Sequence, residues 1–312
     1  MPSVDLDAVY ALLAKSQTFS GRTIRITSIY DRHHEEKCFR VDTNDESQGY
    51  KVRLTTASSK RSVVREYEAF RLLHRHGITW APYIYEFQAD EPPYLIVGYA
   101  AGESLDKSLG WVPYTESIVD ALGLLLANIH EIEGEHFGHL AGPQYPTWQA
   151  FIDVRFWRHV MPLAGAGMIT EADLSKIRAL YNEVGETFGS IRPLLLHGDV
   201  KPANIIFDIH QSRTTLIDFE LARFGDVDFE WSKLYRLSLR WPEYQRLIAK
   251  PLLERVSFTS PGESVYDAKL LLYDFYHTCS FLDFEIETGI PVPGYRLNDL
   301  AELLQAVRRR RV

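Results

Sequence analysis

Hydrophobic and polar positions follow two rhythms along the chain, and the change comes near residue 100. Up to there the pattern predicts a small sheet with one helix. Residues 23–29 and 37–42 read as strands, and Gln48-Gly49 lies in the turn before a third strand over 50–55. In that third segment Tyr50, Val52 and Leu54 alternate with Lys51 and Arg53, the period of a half-buried strand. Residues 59–76 then form a helix whose apolar face carries Val63, Val64, Tyr67, Phe70, Leu72 and Leu73, and Gly77 stops it. Two more strands follow over 84–87 and 94–97, before Gly98-Tyr99-Ala100-Ala101-Gly102 breaks the pattern.

Beyond that break the period is mainly helical. Helices are expected over 116–132, with His130 near its end, and over the aromatic-rich 148–160. Another spans 171–188, opened by Thr170 with Asp173 placed for a capping-box contact. Short strands interrupt the helices over 194–218, and further helices cover 229–239, 243–255, 264–288 and 298–309. The expected organisation is an N-terminal lobe over residues 1–97, a hinge over 98–102 and a larger lobe over 103–312. A cleft between two lobes is a usual place for a small ligand.

Bulk properties narrow the class. A chain of 312 residues with 46% apolar and 24% charged positions is an ordinary globular composition. Cys38 and Cys279 are too few for a disulfide framework, which points to a reducing, cytoplasmic setting. The N-terminal segment has acids where a signal peptide needs a basic flank and reads as an amphipathic helix. No uncharged apolar run is long enough to span a bilayer. The net charge of −8 lies wholly after residue 100, and residues 101–307 carry −12. Such a field attracts cations and repels nucleic acid. The Arg308-Arg309-Arg310-Arg311 run reads as a solvated, mobile tail.

The chemistry concentrates in one string, His197-Gly198-Asp199-Val200-Lys201-Pro202-Ala203-Asn204, followed fourteen residues later by Asp218. Asp199 follows the apolar Leu194-Leu195-Leu196 and can orient or accept the proton of an attacking hydroxyl. Asn204 precedes a strand-like Ile205-Ile206-Phe207 and Asp218 follows Thr215-Leu216-Ile217. In a hairpin those two ends lie side by side, offering an amide oxygen and a carboxylate to a hard cation such as Mg2+. Lys201 would bring positive charge to a transferring phosphate, and His197 reads as structural support. An acid, an amide and a second acid are what in-line phosphoryl transfer from a nucleotide requires.

With these motifs the chain resembles the aminoglycoside phosphotransferase and choline kinase-like family, whose catalytic motif is H-G-D-x-x-x-x-N and whose metal motif is an I-D followed by G-D. Here these are His197 to Asn204 and Ile217-Asp218-Phe219-Glu220 with Gly225-Asp226. The resemblance extends to Tyr94-Leu95-Ile96-Val97-Gly98-Tyr99-Ala100-Ala101-Gly102-Glu103-Ser104-Leu105 as the hinge, to Ala127-Asn128-Ile129-His130, and to Arg65-Glu66 on the small-lobe helix. It covers about residues 20 to 240. It implies a two-lobed, protein-kinase-like α+β fold, a small antiparallel sheet with one main helix beside a larger helical lobe. It implies Asp199 as catalytic base with Lys201 beside it, Asn204 and Asp218 as Mg2+ ligands, and ATP or GTP as donor. The purine would lie against the backbone of Val97, Gly98, Tyr99 and Ala100.

Three positions depart from the family pattern. The strand lysine that grips phosphates is replaced by Arg53, paired with Glu66, and Lys51 on the same face competes for the role. The expected phosphate-covering loop, residues 30–36, contains no glycine. Glu230 stands where aspartate is common and reads as structural.

The expected activity is transfer of a γ-phosphate to a hydroxyl of a small, cationic acceptor such as an aminoglycoside or another basic antibiotic, which would make a resistance enzyme. Asp226, Asp228, Glu230, Asp283, Glu285 and Glu287 are candidate acids on the acceptor side, and Trp111, Trp148, Trp157, Tyr273 and Tyr276 candidate stacking groups. The alternatives are a choline-, sugar- or amino-alcohol-type kinase, a protein kinase and a non-enzymatic pseudokinase. Gly198 in place of an arginine, Phe219-Glu220 after Asp218, and the short interval to Gly225-Asp226 speak against a protein kinase. Asp199, Asn204 and Asp218 together speak against a pseudokinase. No nucleic-acid or membrane partner is expected, and the chain would act as a monomer or homodimer.

Overall fold

The computed structural model describes residues 6–32, 36–44, 49–57, 60–90, 92–256 and 268–310. In chain order the first half runs α1 (Leu6–Leu13), β1 (Ile24–Arg32), β2 (Glu36–Thr43), β3 (Tyr50–Thr55), α2 (Lys60–Arg75), β4 (Ile84–Gln88), β5 (Tyr94–Gly98), β6 (Glu103–Ser104) and α3 (Thr115–His130). Then come β7 (Gly138–His139), α4 (Trp148–Gly165), α5 (Glu171–Gly185), β8 (Leu194–Leu196), β9 (Ile205–Asp208), β10 (Arg213–Leu216) and β11 (Arg223–Gly225). Helices α6 (Val227–Ser238), α7 (Pro242–Tyr244), α8 (Lys250–Arg255), α9 (Ala268–Thr288) and α10 (Gly294–Arg309) complete it. The chain divides into two compact units. Unit 1 comprises residues 1–128, 139–142 and 202–222; unit 2 comprises 129–138, 143–201 and 223–312.

Unit 1 is built on an antiparallel sheet of five strands in the order β1-β2-β3-β5-β4. The alternation in β3 sorts its two faces as expected. Tyr50, Val52 and Leu54 join Phe39, Val41, Tyr94 and Ile96 in an apolar cluster closed by Val9 and Leu13 of α1 and by Phe19. Lys51 and Arg53 turn to the opposite face, toward Glu66 of α2. Residue Gln48 of the expected turn, Ser59 at the start of the expected helix, and the centre of the glycine-free loop, residues 33–35, lie outside the described residues. The strands flanking that loop are paired up to Arg32 opposite Glu36.

Unit 2 buries a helical core. Phe151, Phe156 and Val160 of α4, Ile177 and Val184 of α5, Phe229 of α6, and Leu271, Phe275 and Leu282 of α9 share one cluster with Leu300 and Leu304 of α10. The strands β8 and β11 pair antiparallel across it, Leu196 opposite Arg223. Gly225 is required there, because a Cβ would stand 2.6 Å from the Trp148 ring. The expected helix over 243–255 divides into α7, a π-wound Gln245–Ala249 segment and α8. Pro251, in the first turn of α8, has no N–H to continue a regular ladder.

Arg308 and Arg310 are not part of the free tail that the run suggests, while Arg311 lies outside the described residues. Helix α10 continues through Arg309, and Arg308 forms a two-pronged pair with Asp173, Nε to Oδ1 2.6 Å and Nη2 to Oδ2 2.8 Å. Arg310 reaches Glu183 at 2.7 Å. Asp173 closes the capping box with Thr170 at the start of α5, as the sequence predicts. The Arg308 hydrogen bond, which outweighs burial, holds the Asp173 carboxyl below the usual carboxylate range. Such a group contributes stability in full above its unfolded pKa and loses it as pH falls toward the folded value. Asp173→Ala should therefore cost about 1–2 kcal/mol at neutral pH, and its gap to wild type should begin to narrow as pH falls below about 4. Thermal unfolding of both proteins between pH 3 and pH 7 measures this.

Candidate functional site

The hairpin inferred from the motif spacing forms within unit 1. Strands β9 and β10 pair antiparallel with Ile205 opposite Leu216. The Ile217 N–H donates to the Asn204 carbonyl at 3.0 Å. Asn204 at its entrance and Asp218 at its exit thus occupy the same end. Asp218 has φ +69°, in the left-handed region. Aspartate tolerates this better than most residues, at a cost of about 1–2 kcal/mol. The next residue anchors this conformation: Phe219 is fully buried and packs on Phe70 of α2, ring centroids 5.4 Å apart.

Around Asp218 the acids and bases of unit 1 form one cluster. Arg53 Nη1 lies 2.8 Å from Glu66 Oε2 and 3.3 Å from Asp218 Oδ1, and its Nη2 donates to the Glu220 carboxylate. Lys51 Nζ donates to the other oxygen of Glu66 at 3.1 Å. Arg53 is therefore tied to three carboxylates, whereas Lys51 pairs with one. Burial would raise the Glu66 carboxyl, but Lys51 and Arg53 outweigh it and hold the group low. Asp218 goes the other way: burial and the neighbouring Glu220 charge push it up, against Arg53 and Lys51. Arg65 of α2 also reaches this cluster, donating to the Glu220 carbonyl at 3.4 Å, so Asp218 lies among several charged groups of both signs. A carboxylate and an amide oxygen suit Mg2+, which keeps waters and shares phosphate oxygens. Among the described residues no group of three or more His, Cys, Asp or Glu side chains gathers as a transition-metal site would require.

The segment expected as a hinge, residues 98–102, lies inside unit 1, and its backbone is more committed than its sequence suggests. Gly98 N–H donates to the Tyr83 carbonyl and Tyr99 N–H to the Gly49 carbonyl, both at 2.9 Å. Val97 is buried. Gly98, Tyr99, Ala100 and Ala101 border a cavity of about 260 Å³ walled by Trp80, Tyr83 and Tyr85 and by residues of the β9–β10 hairpin. Gly102 follows at φ +108°, where a Cβ would stand 2.3 Å from the Phe207 carbonyl. Only glycine allows the chain to approach β9 so closely before β6 pairs with it.

The other half of the motif lies in unit 2. Gly198, at φ +81°, turns the chain out of β8. Glu230 of α6 holds the turn: its carboxylate accepts the Gly198 N–H at 2.5 Å and the His197 N–H at 3.3 Å, and His130 Nε2 lies 2.7 Å away. His197, read from the sequence as structural support, accepts the Asp199 N–H on Nδ1 at 3.1 Å. Lys201 Nζ is 2.6 Å from Asp199 Oδ2. The second oxygen, Oδ1, accepts from Lys233 of α6 at 2.9 Å, and Lys233 also donates to the Gly198 carbonyl at 2.6 Å. Burial would raise the Asp199 carboxyl, but the two ammonium groups outweigh it and hold it well below the carboxylate range. Burial conversely pulls the Lys233 ammonium down, against the attraction of Asp199.

Sequence reasoning does not reach the parts that Lys233 and Glu220 play. For Lys233 a signal exists: Glu230 and Lys233, one helical turn apart, are charged residues among the apolar Phe229, Trp231, Leu234 and Leu237. Glu220 has none beyond its place beside Asp218. The acceptor-side candidates fare differently. Trp111, Trp148, Tyr273 and Tyr276 are buried, and Trp148 donates to the Tyr273 hydroxyl, which donates to Asp226. Trp157 packs edge-on against Phe156. Of the six acids, Asp226 and Asp228 share Lys269, Glu230 takes His130, Asp283 takes His159 and Glu285 takes Arg296. Only Glu287 of the six stands exposed without such a pair among the described residues.

The family model of the phosphotransferase enzyme family (APH) matches residues 32–257, well over half of the chain. Among curated proteins none matches. Among solved structures, a thermostable mutant of aminoglycoside phosphotransferase APH(4)-Ia in ternary complex with AMP-PNP and hygromycin B superposes with TM-score 0.67 at 19% identity, covering 98% of this chain and 97% of that one. Choline kinase LicA from Streptococcus pneumoniae gives 0.63 at 14%, covering 97% and 98%. A putative fructosamine-3-kinase from Haemophilus somnus 129PT gives 0.63 at 16%, covering 97% of each chain. At such identities the likeness is one of fold, and it agrees with the two-lobed α+β arrangement that the motifs imply. The match over residues 32–257 places the chain in the APH phosphotransferase enzyme family.

Proposed function

We propose that the protein transfers the γ-phosphate of ATP or GTP to a hydroxyl group of a small molecule, in the cytoplasm and with Mg2+ as the metal. The observation that carries this reading is that, within unit 2, the buried Asp199 carboxylate is held between the ammonium groups of Lys201 and Lys233; within unit 1, Asn204 and Asp218 stand at one end of the β9–β10 hairpin. Asp199 would orient the acceptor hydroxyl and take its proton, and Lys201 would lend charge to the phosphate. Asn204 and Asp218 would hold Mg2+, whose chemistry is to neutralise the phosphate charge and align the leaving oxygen. Of the two candidates for the phosphate grip, Lys51 has the freer ammonium. Arg53, divided among Glu66, Asp218 and Glu220, would fix that face in place. With the Gly98 and Tyr99 amides engaged, the purine would be read by Ala100 and by hinge carbonyls.

The acceptor is proposed to be cationic on the −12 charge of residues 101–307, a basic antibiotic first and a choline- or amino-alcohol-type substrate second. Internal pairing of five of the six candidate acids means that specific contacts must come from other groups. A panel of aminoglycosides, other basic antibiotics, amino alcohols, neutral sugars and a generic protein substrate, read as nucleoside diphosphate formed from MgATP or MgGTP, tests the reading. A basic acceptor should turn over fastest, and phosphorylation of the protein substrate alone would overturn it. Asp199→Ala should lower kcat about 10²- to 10⁴-fold on that acceptor. Equal rates in the two proteins would remove Asp199 from its role.

The two cations of β3 should separate by their failures. Lys51→Met should stay folded and raise the KM for nucleotide about tenfold or more. Arg53→Met should instead lose about 3–5 kcal/mol of stability, because it leaves three carboxylates without their shared partner. Steady-state kinetics alongside denaturant unfolding distinguishes the two, and the reverse pattern would give the grip to Arg53.

A further inference from the structure

Two lysines sit on the one carboxylate of Asp199, and their settings differ. The Lys233 side chain is 9% exposed, with Nζ 2.9 Å from Asp199 Oδ1 and 2.6 Å from the Gly198 carbonyl; the face of Phe281 lies 5.9 Å away. Lys201 reaches Oδ2 at 2.6 Å from a side chain that is 22% exposed. A buried ammonium that loses its partners is left uncompensated in a poorly solvated place, so Lys233 is bound to keep Asp199 and Gly198 throughout a reaction cycle. Lys201, at the wetter side, can exchange Asp199 for another anion while water covers the change.

We propose that Lys233 is the positioning residue of the catalytic loop: it pins Asp199 through Oδ1 and the turn through the Gly198 carbonyl, so that Oδ2 is the oxygen presented to the acceptor once Lys201 moves to the phosphate. This rests on the reading of Asp199 as the base and adds a division of labour between its oxygens. In the step, the acceptor O–H proton passes to Oδ2 and the acceptor oxygen bonds to the γ-phosphorus. The bond from that phosphorus to the bridging oxygen breaks, its electron pair leaving on the nucleoside diphosphate. Lys233 touches neither substrate. Its effect reaches the reaction only through where Asp199 points, and Glu230, three residues earlier on α6, holds the backbone amides of the same turn. One helix thus fixes both the amides and the carboxylate of the loop.

The test is steady-state phosphate release from MgATP and from MgGTP, with water as the acceptor, for Lys233→Met, Lys233→Arg, Asp199→Asn and the double variant Asp199→Asn/Lys233→Met. Lys233→Met should lower kcat about 100-fold while the KM for nucleotide stays within about twofold. The double variant should be no slower than Asp199→Asn alone, because Lys233 has then no carboxylate to place. Lys233→Arg keeps the buried charge and so reports even if the Met variant fails to fold. Its broader planar head should displace the carboxylate and lower kcat about tenfold. Wild-type kcat in Lys233→Arg, or an equal slowing by Lys233→Met with and without the Asp199 carboxylate, overturns the proposal. Wild-type kcat in Asp199→Asn would overturn the base assignment itself, independently of Lys233.

Discussion

Arg53 is the constraint on which unit 1 depends. One guanidinium holds Glu66 from α2, Asp218 from the exit of the β9–β10 hairpin, and Glu220 two residues further on. Glu66 and the 218–220 stretch are far apart in sequence, so a single side chain on β3 ties two segments, α2 and the hairpin exit, to the sheet. Arginine suits this because its planar, permanently charged fork offers several donors in fixed directions, where a lysine would offer a point charge. Burying that many charges is costly unless each is paired, so the cluster specifies an arrangement more than it adds stability. The left-handed Asp218 belongs to the same arrangement: its strain is held by Phe219 packed on Phe70 and by Arg53 at its carboxylate.

Unit 2 uses the same means on a smaller scale. Asp199 is buried between two lysines, and Glu230 is buried between His130 and two loop amides. The chemistry proposed for Asp199 depends on its being ionised and aimed. Burial alone would work against the first, and the ammonium groups reverse it. In both units a carboxylate of proposed function is held by a cation whose own position is set by packing.

Features that local spacing determines were legible in the sequence. The β9–β10 hairpin and the Thr170–Asp173 capping box each depend on residues within about twenty positions of one another and are found as read; the alternation of β3 sorts its faces, but the strand expected to be half-buried is buried on both, Arg53 included. The family motifs extended this to the fold, since they fix which short segments recur in which order. Long-range electrostatics was not legible. Nothing in the neighbourhood of Arg308 tells that it meets Asp173 of α5, so a paired helical end looked like a free basic tail. The acids beyond Asp226 looked like an open negative surface because their partners, Lys269, His159 and Arg296, lie on other turns or other helices. Aromatic residues such as Trp148 and Tyr273 bear the same letters whether they stack on a ligand or fill a core, and here they fill the core.

The central claim is that the Asn204–Asp218 hairpin end, beside the Arg53 cluster, is where a nucleotide-bound divalent cation is held. Calorimetric titration of a non-hydrolysable ATP or GTP analogue into wild type and Asp218→Asn, each with and without Mg2+, tests it most directly. The account predicts that Mg2+ tightens binding to wild type by tenfold or more, about 1.4 kcal/mol, and that this gain vanishes in Asp218→Asn. The same Mg2+-dependent gain in both proteins would contradict it.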